Sequence, residues 1–252
     1  MVTYTNLETY NSGFKDFALE TTSIWSFPNR GSWANHNGKY RGNWSPYVPR
    51  NLILRYSKNQ DIVLDQFVGG GTTLMEAALL GRRGIGIDIN PDAIKISSKN
   101  ISELNMKKGM LNLRTGDARN LNFIKDNSID LICTHPPYAD IIKYSENIKG
   151  DLSNYCLDDF LIHMQDVAGE SYRVLKKGKI CAIMIGDTRK NKNIKPLGFQ
   201  TMEVFLKAGF TLKEIIIKHQ HNCEMTRYWK EKSAQYNFFL IAHEYLFIFE
   251  KS

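Results

Sequence analysis

Apolar positions follow two alternating spacings from about residue 61 onward. Ile62-Val63-Leu64, Gly84 to Ile89, Leu111 to Arg114, Ile129 to Cys133 and Ile180 to Ile185 are short apolar runs of strand length bounded by turn residues. Between them lie segments of helical spacing. Thr72 to Leu80 is closed by Gly81, Pro91 to about Leu104 has Asn90 as its cap, and Pro196 to Ala208 ends at Gly209. Leu157 to Leu175 places Phe160, Leu161, Met164, Val167 and Tyr172 at helical intervals, with Lys177-Gly178 ending it. Thr211 to Lys218 and Phe238 to Phe249 read as two last strands with no convincing helix between them.

Strands alternating with helices predict a parallel sheet covered on both faces, and a final strand pair without a crossover helix predicts an antiparallel hairpin. The expected fold is α/β: a Rossmann-like, seven-stranded, mostly parallel sheet with an antiparallel terminal hairpin. Residues 1–48 depart from this pattern. They are rich in Gly, Asn and Pro and carry Trp25, Phe27, Trp33, Tyr40, Trp44 and Tyr47. They read as an aromatic arm or lid preceding a domain over 49–252, which opens with a helix from Pro49 to Tyr56.

At 252 residues and 42% hydrophobic, the chain can bury one sizeable core. No apolar run reaches the roughly 18 residues that a membrane span needs, and Met1 to Asn6 lacks a basic-then-apolar signal pattern, so a cytoplasmic protein without a membrane partner is expected. Cys133, Cys156, Cys181 and Cys223 form no C-x-x-C pair, which argues for reduced, mostly buried thiols and no metal site. The formal charge of +7 is uneven, with 13 Lys/Arg against 5 Asp/Glu in residues 176–232. This suits a polyanionic partner, or else a solvated lysine-rich surface.

The turn Asp65-Gln66-Phe67-Val68-Gly69-Gly70-Gly71-Thr72-Thr73 joins a strand to a helix. Glycines there let the backbone approach a ligand and aim helix N–H groups at it. Asp88, followed by Ile89, ends the next strand about 20 residues on, where a carboxylate accepts hydrogen bonds from ribose hydroxyls. Asp117, in Gly116-Asp117-Ala118-Arg119, is placed to meet an adenine amine. The pattern is neither G-x-G-x-x-G nor a phosphate loop with lysine, and the acidic Asp65 ahead of the glycines suits a cation better than a pyrophosphate. S-adenosylmethionine, with its amino group, sulfonium and ribose, fits these residues better than a dinucleotide or a turn that serves only packing.

Thr134-His135-Pro136-Pro137-Tyr138 follows the strand Ile129 to Cys133. Two prolines end strand pairing and leave carbonyls and a ring at the tip. In a doubly wound sheet this tip and the glycine turn face one crevice. The Pro136 carbonyl and the His135 side chain can accept from a base amine, turning its lone pair toward a methyl donor, while Tyr138 offers a stacking face.

On these motifs the chain resembles the DNA amino-methyltransferases that modify adenine N6 or cytosine N4. Their catalytic motif, (Asp/Asn/Ser)-Pro-Pro-(Tyr/Phe/Trp), matches Pro136, Pro137 and Tyr138, and their cofactor motif is similar to Asp65 through Thr73, including Phe67, Gly69, Gly71 and Thr72. Trp44-Ser45-Pro46-Tyr47-Val48-Pro49 resembles the segment that precedes the cofactor loop, which gives Trp44 and Pro46 a place near the methionine end. The resemblance covers about residues 40–250, and the motif order is similar to the gamma arrangement. It implies a class I S-adenosylmethionine-dependent methyltransferase acting on a base flipped from double-stranded DNA, a cognate restriction enzyme as partner, and room for a homodimer. His135 departs from the motif, and it leaves cytosine N4 and adenine N6 both open.

For target binding, His219 to Asn237 holds Arg227, Tyr228, Trp229, Lys230 and Lys232, a basic stretch interleaved with aromatics that can follow phosphates or form a solvated hairpin tip. The arm and the loop Ala139 to Tyr155 are further candidates. Asp187 stands at the pocket edge or pairs with Arg189, and His243-Glu244-Tyr245 reads as structural. The same chemistry on tRNA and a non-catalytic nucleic-acid-binding module are the alternatives, with a nucleotide-dependent oxidoreductase behind them.

Overall fold

The computed structural model describes residues 17–34, 36–104, 109–139, 145, 148–222 and 226–252, so Cys223 and much of the loop after Ala139 lie outside the described residues. In chain order the first half contains β1 (Ile24–Ser26), α1 (Tyr47–Tyr56), β2 (Ile62–Asp65), α2 (Thr72–Leu79), β3 (Arg83–Asp88), α3 (Pro91–Ser102), β4 (Leu111–Thr115) and β5 (Ile129–Thr134). The second half contains α4 (Leu157–Val174), β6 (Leu175–Ile185), a small hairpin of β7 (Thr188–Lys190) and β8 (Asn193–Lys195), α5 (Leu197–Lys207), β9 (Phe210–His219), α6 (Thr226–Tyr236) and β10 (His243–Lys251).

The main sheet has the order β1-β9-β10-β6-β5-β2-β3-β4. From β6 to β4 the neighbours are parallel, whereas β10 runs antiparallel to both β6 and β9. The seven expected strands and their antiparallel ending are therefore present, and the arm adds an eighth. Trp25 is buried and pairs with Lys218 along β9, which lays β1 parallel on that edge.

Alternation along the central strands fills two layers. On β10, Leu246 and Ile248 join Val48, Leu52 and Ile53 of α1, while Phe247 and Phe249 join Phe160 and Met164 of α4 and Phe205 of α5. Each strand residue thus meets a helix on its own side, as a doubly covered sheet requires. Asn90 caps α3 by accepting from the Asp92 N–H at 2.9 Å, with Pro91 in the first turn.

Two expected boundaries change. Lys177-Gly178 lies inside β6 rather than at a helix end. Gly178 has φ +72°, and the register jumps from Ile129 opposite Leu175 to Leu131 opposite Ile180, so the intervening residues form a bulge. Strand β10 begins at His243, opposite His219 at the end of β9. Phe238 to Ala242 have no strand residue left to pair with, and Phe239 is 92% exposed.

The segment expected to lack a helix contains α6. Its charged and aromatic residues surround the helix instead of forming one apolar stripe, which is why spacing does not reveal it. Local pairs support it: Lys232 lies 5.7 Å and 5.4 Å from the Tyr228 and Tyr236 rings.

Candidate active site

Strand order reverses between β5 and β2, and the carboxylates gather at the C-terminal ends beside that point. Asp65 ends β2, Asp88 ends β3, and Asp117 follows β4. Between β2 and α2 the chain turns through Gly69 (φ +47°) and Gly71 (φ +88°), a region that side chains disfavour. This turn directs the Gly69 N–H to Asp88 Oδ2 at 3.0 Å, and the Asn90 N–H donates to Oδ1 at 2.9 Å.

Asp65 is buried and joins two motifs. Its carboxylate accepts from the Thr73 hydroxyl, from the Phe67 N–H at 3.1 Å and from the Thr134 hydroxyl at 2.7 Å, fastening the glycine turn to the strand that carries the Pro-Pro-Tyr tip. Burial raises the pKa of Asp65 to about 6 against these hydrogen bonds, and burial likewise raises Asp88 to about 6. For Asp117, burial opposes the charge, but the Arg119 guanidinium, bonded to both carboxylate oxygens, holds its carboxyl below the usual range.

These groups line a cleft closed on one side by Tyr40, Asn43 and Trp44 of the arm. Its described lining contains Asp65, Asp88, Asp117 and Asp151 and neither Lys nor Arg. Such a wall suits a cation carrying a ribose and works against a pyrophosphate. Gln66 Nε2 is buried without a hydrogen-bond partner, and Gln66 belongs to the same lining.

Beyond the fully buried β5, the chain presents its tip. The His135 ring stacks on Trp44, with centroids 5.6 Å apart and planes at 25°. Its Nε2 lies 2.9 Å from the Tyr138 hydroxyl, which donates to Glu244 Oε1 at 2.7 Å; Lys218 Nζ donates to Oε2 at 2.8 Å. Burial lowers the His135 pKa to about 4 despite the nearby Glu244, so the ring is neutral at pH 7. A second cleft opens here, lined by Phe27, Trp44, His135, Pro136, Tyr138, Lys218 and Glu244. Trp44 and His135 form part of both clefts.

Comparison with known proteins agrees with this layout. A family model described as methyltransferase domain matches residues 57–237, which is most of the chain. The chain belongs to the methyltransferase-domain family.

A second model, described as DNA methylase, matches residues 7–99 of the methyltransferase. Type II methyltransferase M2.LlaDCHI of Lactococcus lactis subsp. cremoris is 39% identical over 71 residues, covering 28% of this chain and 25% of the relative. These two findings bear out the resemblance to DNA amino-methyltransferases. The tRNA (guanine(10)-N2)-dimethyltransferase of Methanothermobacter thermautotrophicus is 32% identical over 123 residues, covering 48% of this chain and 34% of the relative. The methyltransferase thus spans about a quarter to a third of these curated relatives' length. A solved SAM-dependent methyltransferase from Methanosarcina mazei shares the fold, with a TM-score of 0.55 at 16% identity over 79% of this chain and 96% of that one. The expected cofactor, S-adenosylmethionine, stands on the family, the fold and the acidic cleft together.

Of the residues expected at the cofactor, Asp65, Phe67, Gly69, Asp88, Ile89, Asp117, Ala118 and Trp44 line the first cleft. Gly71, Thr72, Thr73 and Pro46 line neither cleft. Gly71 caps α2, Thr72 donates to Asn43 Oδ1 at 2.7 Å, Thr73 is held by Asp65, and Pro46 caps α1. They shape the site without facing it. Among the tip residues, Pro137 lines the first cleft, Pro136 and Tyr138 the second, and His135 both.

The basic-aromatic set is separate from both clefts: Arg227, Tyr228, Trp229 and Lys230 are exposed on α6, and Lys232 is half-buried there. Asp187 accepts from the Gly198 N–H at 2.9 Å, while Arg189 donates to the Lys192 and Phe239 carbonyls, so these two do not form the expected surface pair. Cys133 and Cys181 are buried, and Cys156 is exposed. Among the described residues no group of three His, Cys, Asp or Glu is placed to hold a metal, and no helix is long and apolar enough to cross a membrane.

Spacing missed Tyr40, Asn43, Lys218 and Glu244. The first two sit in an arm without periodicity, and the last two in strands whose register is set from outside.

A carboxyl with a folded pKa of about 6, above its ordinary value of 3.8, keeps its proton longer in the folded state. Its stabilising effect is lost as pH rises from about 4 through 6, and a bound cation favours the ionised form. At pH 5 only about a tenth of Asp88 is ionised, so cofactor affinity is expected to fall about tenfold from pH 7.5 to pH 5. Calorimetry across that range checks this; a flat profile would remove Asp88 from the cofactor contact.

Proposed function

We propose that this methyltransferase modifies the exocyclic amine of a base flipped out of duplex DNA, cytosine N4 or adenine N6, in a restriction-modification setting. The shared wall of Trp44 and His135 between an acidic cleft and the Pro-Pro-Tyr cleft carries this reading, because a donor and an acceptor held in the two clefts meet there. S-adenosylmethionine, when bound, supplies an electrophilic methyl group. The chain's own residues orient the base: Tyr138 offers a stacking face, and the Pro136 carbonyl offers an acceptor for an amine N–H group.

Support for DNA comes from the DNA methylase model over residues 7–99 and the Type II relative. On this reading Arg227, Tyr228, Trp229, Lys230 and Lys232 follow the DNA outside the catalytic clefts. The same chemistry on tRNA is the second reading, supported by the 123-residue match to a tRNA methyltransferase. A binding-only module is disfavoured, since it has no use for a cleft lined by four aspartates.

Tritium transfer from labelled cofactor to duplex DNA, single-stranded DNA and tRNA, followed by mass spectrometry of the methylated nucleoside, tests both polymer and base. N4-methylcytosine or N6-methyladenine in DNA is the expected product. Label only in tRNA guanosine would replace this reading by the second.

A further inference from the structure

Glu244 is the one carboxylate among the described residues lining the second cleft, and the motifs do not account for it. It is the second residue of β10, directly opposite Lys218 on β9, and is only 6% exposed. Its two carboxylate oxygens offer about four acceptor sites. Tyr138 takes one on Oε1 and Lys218 one on Oε2, both in good geometry, so each oxygen keeps acceptor capacity. The carboxylate belongs to the cleft lining together with Pro136 and Tyr138, and His135 Nε2 lies 3.7 Å from Oε1.

A buried ion pair adds little net stability over apolar residues of similar volume, because desolvation offsets most of the attraction. Leu246 and Ile248, further along the same strand, show that apolar side chains pack well here. Stability alone therefore does not explain a carboxylate at this position. Burial opposes its charge, yet the Lys218 ammonium and the hydrogen bonds from Lys218 and Tyr138 hold its carboxyl below the usual range. Meanwhile the tip itself presents only neutral acceptors.

We propose that Glu244 accepts a hydrogen bond from the exocyclic amine of the target base and is the charged acceptor that orients it, with Lys218 holding the carboxylate in place. This deepens the amine-methyltransferase reading and rests on it. The amine donates one N–H to Glu244 and another to the Pro136 carbonyl, which leaves its lone pair pointing away from both, toward the wall shared with the cofactor cleft.

Glu244→Gln tests this, because it keeps size and removes charge. Glu244 lines the second cleft and not the first, so cofactor affinity is expected to stay within twofold. The turnover number for the methylated polymer should fall about tenfold to a hundredfold, the range for a hydrogen bond to a charged group. Adding His135→Asp to Glu244→Gln places a carboxylate on the same side of the cleft and should restore at least tenfold of the loss, which a merely structural role would not do. Wild-type transfer with Glu244→Gln within twofold of it overturns the inference and leaves the amine reading intact. A loss that His135→Asp fails to recover also overturns it, and confines Glu244 to holding Tyr138. No transfer by the wild type to any of the three polymers overturns both.

Discussion

Tyr138→Ala is expected to lower methyl transfer about a hundredfold or more while leaving cofactor affinity within twofold. Base-on-ring stacking contributes roughly 1–3 kcal/mol, and each 1.4 kcal/mol is a factor of ten in rate. The substitution removes more than the ring. It also deletes the hydroxyl that donates to Glu244 at 2.7 Å and lies 2.9 Å from His135, so the acceptors of the second cleft lose their common anchor. Binding of the cofactor is spared because Tyr138 lines the second cleft and not the first. Tritium transfer with calorimetry in parallel measures both quantities. Undiminished transfer would refute the stacking role, and lost cofactor binding would mean that the two clefts are not independent.

The largest effect on stability is expected at Glu76. This residue of α2 is fully buried and accepts from Trp33 Nε1 at 2.6 Å, His36 Nε2 at 2.7 Å and Arg50 at 2.8 Å. Two of these donors come from the arm and one from α1, so a single carboxylate ties the arm to the glycine-turn helix. Glu76→Ala leaves the buried Arg50 cation without this counterion. Breaking a buried pair from one side costs roughly 3–5 kcal/mol, which in a chain of this size lowers Tm by about 10 °C. Cofactor affinity should fall with it, since Tyr40, Asn43 and Trp44 of the arm line the cofactor cleft. Thermal denaturation and calorimetry check the pair of effects. A Tm within 2 °C of wild type would show that the cluster contributes nothing net.

Glu76 also illustrates what spacing conceals. A helix rich in Leu, Met and Ala between Thr72 and Leu80 is legible from its period, and Gly71 at its start is legible from turn chemistry. That the helix is buried nearly all round, with a carboxylate on its buried surface, is not, because the covering arm lies some 40 residues earlier and has no period of its own. The same holds for α6. Its polar, aromatic sequence lacks a stripe, and surface pairs stabilise it locally.

The sequence by itself determined the order of seven main-sheet strands and of helices α1 to α5, the glycine turn, the carboxylates that end β2 and β3, and the Pro-Pro-Tyr tip. These depend on spacing and backbone chemistry over a few neighbouring residues, which one chain displays in full. Only the tertiary structure decided that the arm closes the cofactor cleft, that Asp65 joins the turn to the tip, and that Lys218 and Glu244 charge the second cleft. Tyr138 and Glu244 are 106 residues apart, and their meeting depends on the β9–β10 register and on β6 lying between β10 and β5. That placement is set by how whole layers bury their apolar faces, a global condition that no local spacing records.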